Sequence, residues 1–240
     1  MDPIAFLVGP YSIYWSTVIQ AMAALTGVLL FWFFYLWDER DCVGAFCVVP
    51  LAIGGAVVLG RLAHWYFRQD SYLSLVSALT DYSYGGFALM GCFAGVFLAA
   101  AVLALLRWGR HFGAMLDALS VAGAGAVGIG RLSGFCNTAD RGQILLRPSF
   151  WGTELVNPGT GASEYRLATF LLQAAAAGVI FLVLTFLFFW RRGGHRRKPG
   201  DIFWLFCLYY GASQAVLDST RYDSLYFRSN GFVSVVQIAC

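Results

Sequence analysis

The sequence predicts an all-α, polytopic membrane protein of about seven transmembrane helices, with its N-terminus extracytoplasmic and its last helix truncated. Three observations carry this. Of the 240 residues, 59% are hydrophobic and 12% charged, with mean hydropathy +0.68, whereas an ordinary soluble domain carries about a quarter charged residues. Apolar runs of about 20 residues, the length a helix needs to span a bilayer, recur along the chain. Aromatic residues reach 17%, and many stand at the edges of those runs, where Tyr and Trp rings sit at headgroup level.

The first run, near 12–37, follows MDPIAFLVGP, which has no basic residue and therefore lacks the pattern of a cleaved signal peptide. The N-terminus is expected to be retained. By the same ~20-residue rule, further helices are placed near 43–67, 84–106, 113–133, 167–190 and 201–219. A last one starts near Phe232 and, stopping at Cys240, is too short to cross. Residues 68–83 and 134–166 are amphiphilic connections, and a loop as long as the second suggests a working role. No internal repeat or low-complexity tract divides the chain, so residues 1–240 are expected to form a single helical membrane domain with an extracytoplasmic loop region at about 134–166. The missing repeat also counts against a small-molecule transporter, which would show discontinuous helices in matched halves.

The stretch RRGGHRRKPG sets the orientation. Arg191, Arg192, Arg196, Arg197 and Lys198 directly follow an apolar helix, the pattern of a cytoplasmic loop. That assignment puts Arg40, Arg107 and Arg110 on the same side, and Arg68, Arg141, Arg147, Arg166, Arg221 and Arg228 opposite. The net charge of +3 comes mostly from this one loop and gives no ground for nucleic-acid binding. The six cysteines form no CxxC pair and lie mostly in apolar runs, so they are read as small hydrophobes without disulfide, metal or catalytic roles.

A charge at mid-bilayer costs about 2.5–3.5 kcal/mol on insertion scales, so charges there need a partner or a task. Arg61 in LGRLAHWYF, Arg131 in GIGRLSGFCN and the set in YGASQAVLDSTRYDS qualify. At ~100° per residue, Tyr210, Gln214, Asp218 and Arg221 fall at about 0°, 40°, 80° and 20°, one narrow helical face. Such a face lines a cavity or a protein interface. Asp218 and Arg221 can pair with each other or with Arg61 and Arg131, and a network that merely fixes helix packing remains the alternative. Before Arg131, AGAGAVGIG is built of small residues that let helices approach closely, carrying the guanidinium into a bundle. A planar, permanently charged fork there suits a phosphate or carboxylate. His64 lies one turn after Arg61 and can face the same space or simply pack; His111 and His195 fall in the cytoplasmic loops.

These residues resemble the prolipoprotein diacylglyceryl transferases, bacterial inner-membrane enzymes. MDPIAFLVGPYSIYW looks like the family's opening segment, LGRLAHWYF is similar to its "GaRlgyvlf", and YGGFALMGCFAG to "GGlsfHGGliG". LDALSVAGAGAVGIGRLSGFCN resembles the signature "lDaiaPglplgqaiGRiGNFiN", and LYYGASQAVLDSTRYDSLYF the terminal motif. The likeness runs in order over nearly the whole chain.

The resemblance implies transfer of the diacylglyceryl group of phosphatidylglycerol to the lipobox cysteine of a prolipoprotein signal peptide, in a cavity open to the outer leaflet and with no metal or dissociable cofactor. Arg131, Asn137 and Gly142 fall on signature positions, and Tyr210 and Arg221 on terminal-motif positions. In this reading Arg131 and Arg221 hold the phosphate, Asn137 and Tyr210 hydrogen-bond the headgroup, Gly142 permits close backbone approach, and Arg61 supports them. Asp218, which stands for the usual glutamate, orients Arg221. Other positions depart from the pattern. The family's tyrosine is Ser16, its histidine is Met90, its signature asparagine is Gly134, and its signature glutamate falls on Ala139, beside Asp140. The tyrosine and glutamate of "HPtfLYE" become Leu172 and Gln173, and the first terminal arginine becomes Gln214. Methionine accepts no proton, so the proton chemistry falls to Asp140, Asp218, Tyr210 or His64, or else arginine electrostatics act alone. A non-catalytic relative that binds phospholipid or lipoprotein precursor is the alternative.

Overall fold

The computed structural model describes residues 4–8, 11–67, 74–80, 86–106, 112–136, 142–147, 149–156, 163–190 and 198–218. Six long helices dominate them: α1 (Trp15–Glu39), α2 (Cys42–Phe67), α4 (Leu89–Leu105), α5 (Phe112–Arg131), α6 (Thr169–Trp190) and α7 (Asp201–Asp218). A short helix, α3 (Leu75–Thr80), lies between α2 and α4. Trp15–Glu39, Cys42–Phe67, Phe112–Phe135 and Thr169–Trp190 are long and apolar enough to cross a membrane, and Leu89–Leu105 is a shorter apolar helix. The chain is thus an all-α polytopic membrane protein. The expected seventh helix, from Phe232, lies outside the described residues.

The helices alternate in direction. Consequently the starts of α1, α4 and α6 and the ends of α2, α5 and α7 gather at one end, and their opposite termini at the other. The first end carries two antiparallel hairpins that the all-helical expectation did not include. β1 (Ile4–Val8) pairs with β2 (Tyr11–Tyr14), and β3 (Gly152–Val156) with β4 (Ser163–Leu167). The long loop at 134–166 is therefore partly sheet. We call this the hairpin end and the other the basic-loop end.

Without a hydrophobic drive between helices in lipid, close contact depends on small residues. Three seams follow that rule. On α1 and α5, Ala23 and Gly27 face Gly130 and Ala126; a Cβ on Gly27 would come 3.0 Å from that of Ala126. On α2 and α4, Gly55 lies against Gly95, where a Cβ would stand 2.6 Å from the Gly95 carbonyl oxygen, and Gly91 lies against Leu59 and Gly60. On α5 and α6, Gly128 faces Ala174, Ala177 and Gly178. These seams place α5 at the centre, with Ala114 to Ala122 all buried. Outward side chains such as Leu25, Leu29, Val43, Phe46 and Leu182 are exposed, as residues facing lipid are.

Corners at the basic-loop end are fixed by polar atoms. Arg40 closes α1 in the left-handed region, with φ 54°, and its N–H bonds Leu36 O. Asp41 Oδ1 accepts from Gly44 N–H at 3.1 Å, Tyr35 Oη donates to Asp41 Oδ2 at 3.3 Å, and Trp32 Nε1 donates to Ala45 O at 3.1 Å. Asp117, fully buried on α5, accepts from Gly200 N–H at 2.9 Å and Phe203 N–H at 3.0 Å. Its carboxylate thereby caps α7, where free amide groups and the helix dipole favour negative charge.

Candidate functional site

The tight Asp41 turn holds α1 and α2 together only at the basic-loop end. From there α1 packs along α5 and α2 along α4, so the two separate toward the hairpin end and leave space between them. That space is a cavity of about 980 Å³ walled by α1, α2, α4, α5 and α7. Its depth is apolar: Val28, Phe31, Val49, Ile53, Val96 and Leu119 belong to it. Its polar lining sits nearer the hairpin end: Ser16 and Gln20 on α1, His64 on α2, Arg131 at the end of α5, Ser133 just beyond, and Tyr210 and Gln214 on α7. Polar groups at one rim above an oily interior match the two halves of a phospholipid.

Each polar group has a local reason for its place. Arg131 ends α5 after the small-residue run that brings α1 and α6 close, so its guanidinium enters the bundle at the cavity rim. The Tyr210 ring is 4% exposed and held between Phe206, stacked at 5.3 Å, and Phe93, edge-on at 5.4 Å. One turn on, Gln214 is 4% exposed, and its Nε2 is a buried donor without a hydrogen-bond partner among the described residues. A buried amide donor at a cavity wall is a site for an acceptor such as a phosphate oxygen.

Of the residues singled out from sequence, Arg131 and Tyr210 share this cavity. Gln214 accompanies them, as the helical face through Tyr210, Gln214 and Asp218 requires. Arg61 lies beside the cavity, not on its lining. It is 1% exposed, and its Nη1 donates to Gly86 O at 2.9 Å with the guanidinium 5.8 Å from the Phe87 ring centroid. Gly142 is buried in the hairpin region, its N–H bonded to Leu167 O at 2.8 Å, and does not belong to the lining. Asn137, Asp140, Arg221 and the Asp218 side chain lie outside what is described.

The departures from the family pattern also find places. Met90 and Ser16 line the cavity. At Gly134 there is no room for a side chain: a Cβ would lie 2.6 Å from Phe170 Cβ and 2.9 Å from its Cδ1, and Phe170 is fully buried. Gln173 is 1% exposed, with both amide atoms buried and lacking hydrogen-bond partners among the described residues. Sequence reasoning missed Gln20 and Ser133. The available signal for Gln20 was its position one turn after Ser16 in an otherwise oily helix, and for Ser133 its position two residues after Arg131.

Comparison with known proteins gives a consistent answer. The family model described as prolipoprotein diacylglyceryl transferase matches residues 3–240. The chain is similar to a phosphatidylglycerol–prolipoprotein diacylglyceryl transferase of Streptococcus mutans, 29% identical over 95% of this chain and 87% of that protein. Proteins of the same description from Streptococcus uberis and Streptococcus pyogenes are 27% and 28% identical, each over 99% of this chain and 92% of theirs.

Proposed function

We propose that this chain, which belongs to the prolipoprotein diacylglyceryl transferase family, moves the diacylglyceryl group of phosphatidylglycerol onto the thiol of a lipobox cysteine in a prolipoprotein signal peptide. The observation that carries the reading is the cavity itself: an arginine, a tyrosine hydroxyl and an amide donor with no hydrogen-bond partner among the described residues stand above an apolar depth within one bundle. Its hairpin end faces outward from a bacterial cytoplasmic membrane. The basic cluster at 191–198, which directly follows α6 in the sequence, supports that orientation.

In the reaction the cysteine sulfur attacks the glyceryl carbon bonded to the phosphate oxygen. A C–S bond forms, the C–O bond breaks, and glycerol phosphate leaves with the electron pair. Arg131 neutralises the phosphate and its developing charge, which a fixed guanidinium does best in a site that excludes water. Gln214 Nε2 donates to a phosphate oxygen and Tyr210 to the headgroup. Arg221 is the second phosphate ligand, oriented by Asp218. Asn137 and Asp140 complete the headgroup side from the segment after α5. Arg61 acts on the wall by holding Gly86.

A second reading, a relative that binds phospholipid or lipoprotein precursor without turning it over, draws on Phe170 occupying the space where the family carries a signature asparagine side chain. One experiment separates the two. The purified chain is reconstituted in vesicles with phosphatidylglycerol and a lipobox peptide, and the peptide is analysed for the thioether-linked diacylglyceryl mass. The transferase reading expects that product only when phosphatidylglycerol is present. A folded protein that binds phosphatidylglycerol and forms no product would establish the second reading.

A further inference from the structure

We infer that His64 is the base that takes the proton from the acceptor thiol; this rests on the transferase reading. A thiol must become a thiolate to attack, so the cavity needs a group that is neutral and proton-accepting near pH 7. Among the described lining residues, the titratable side chains are His64 on α2, Cys92 on α4, Arg131 on α5 and Tyr210 on α7; the polar residues from α1, Ser16 and Gln20, are neutral. Arginine stays protonated, and the ordinary tyrosine and cysteine values lie well above neutrality, whereas an ordinary imidazole titrates near 6.5. Met90, on the same lining, has no proton to exchange.

The local backbone is cut to seat this ring. Gly86 lies against the imidazole: a Cβ there would stand 2.6 Å from His64 Cε1 and 2.9 Å from Cδ2. Gly86 also has φ +138°, a conformation that L side chains rarely adopt. Two bonds pin the segment in place, Arg61 Nη1 to Gly86 O at 2.9 Å and Ala88 N–H to Gly60 O at 3.0 Å. Arg61 is thereby a positioning residue: it fixes the glycine that backs the imidazole. In the step, the S–H proton passes to the imidazole, the sulfur forms its bond to the glyceryl carbon, and the phosphate oxygen leaves with the C–O pair. The imidazolium then returns its proton to the glycerol phosphate, which leaves His64 neutral again.

The test measures turnover of the full chain in phosphatidylglycerol vesicles with a lipobox peptide, across pH 6 to 9.5, for the unmodified protein and His64→Gln. The expected result is a loss of about a hundredfold or more near pH 7, which shrinks as pH rises and the peptide thiol ionises unaided. The KM for phosphatidylglycerol should stay unchanged. His64→Gln combined with Met90→His should recover part of the rate at neutral pH, which a merely structural defect would not allow. A defect equal at every pH, or an undiminished rate in a folded His64→Gln, overturns the assignment while leaving the transferase reading intact. Loss of activity at neutral pH in Asp140→Asn but not in His64→Gln moves the role to Asp140. No product from the folded, unmodified chain overturns the transferase reading itself and His64's role with it.

Discussion

Restoring asparagine at position 134 should damage the protein, because Phe170 already occupies the space. In the 3-10 turn Leu132–Phe135, Gly134 is buried against the Phe170 ring, which also meets Phe135 edge-on at 4.8 Å. Phe170 cannot yield easily, since it is 0% exposed. Forcing a side chain into such a packed position costs about 1–3 kcal/mol. Phe170→Ala alone opens a cavity at about 3–5 kcal/mol. Were the two effects independent, the double variant would lose about 4–8 kcal/mol. They are not independent, because the asparagine fills space that the lost ring vacates. The Gly134→Asn/Phe170→Ala double variant should therefore lose about 1–3 kcal/mol less than the sum of the singles. Unfolding of all four proteins in mild detergent, followed by tryptophan fluorescence during denaturant titration, gives the cycle. Singles that add to within about 0.5 kcal/mol, or a neutral Gly134→Asn, would refute the claim that Phe170 fills this space.

Other positions give independent checks. Asp117→Ala strands the Gly200 and Phe203 amides at the start of α7 and should destabilise the fold by about 1–3 kcal/mol in the same unfolding assay, with partial recovery by Asn, whose single carbonyl oxygen can accept from one of the two amides. Gly95→Leu drives a side chain into the backbone at Gly55 and Ala56. It should cost about 1–3 kcal/mol or more and, because α2 and α4 wall the cavity, lower turnover beyond what the loss of folded protein explains. Arg61→Ala removes the charged donor from the half-buried Gly86 carbonyl, for a loss of about 1–3 kcal/mol and faster amide hydrogen exchange at Ala88, which bonds Gly60 across the same contact.

The helices were readable because bilayer thickness leaves little freedom: an apolar run of the right length is a helix, and α1, α2 and α6 begin and end within a few residues of the expected limits. The hairpins were not readable at that level. β3 and β4 are five residues each inside a loop-like composition, although Thr153, Val156 and Tyr165 flanking the sequence NPGTGA were a usable signal. Part of the site followed from helical period alone, since Tyr210 and Gln214 are one turn apart and both face the cavity. Arg131 followed from the small residues before it. Arg61 shows the limit: a buried charge could be identified from sequence, but its Nη1 bonds a backbone carbonyl 25 positions away, and no side-chain pattern marks that. The His64–Gly86 contact is similar, because it exists only once the end of α2 and the residues leading into α4 are brought together.

The proposed reaction depends on the Arg131 guanidinium, at the cavity rim, binding the phosphate of phosphatidylglycerol. The most direct measurement is kcat/KM for that lipid in vesicles, comparing the unmodified chain with Arg131→Ala and Arg131→Lys, each checked for an intact fold. Losing a charge-assisted donor aimed at developing charge should lower kcat/KM by about 10²–10³-fold for alanine. Lysine, which lacks the planar fork, should recover only part of it. An Arg131→Ala protein that is folded and turns over phosphatidylglycerol within threefold of the unmodified chain would contradict the account.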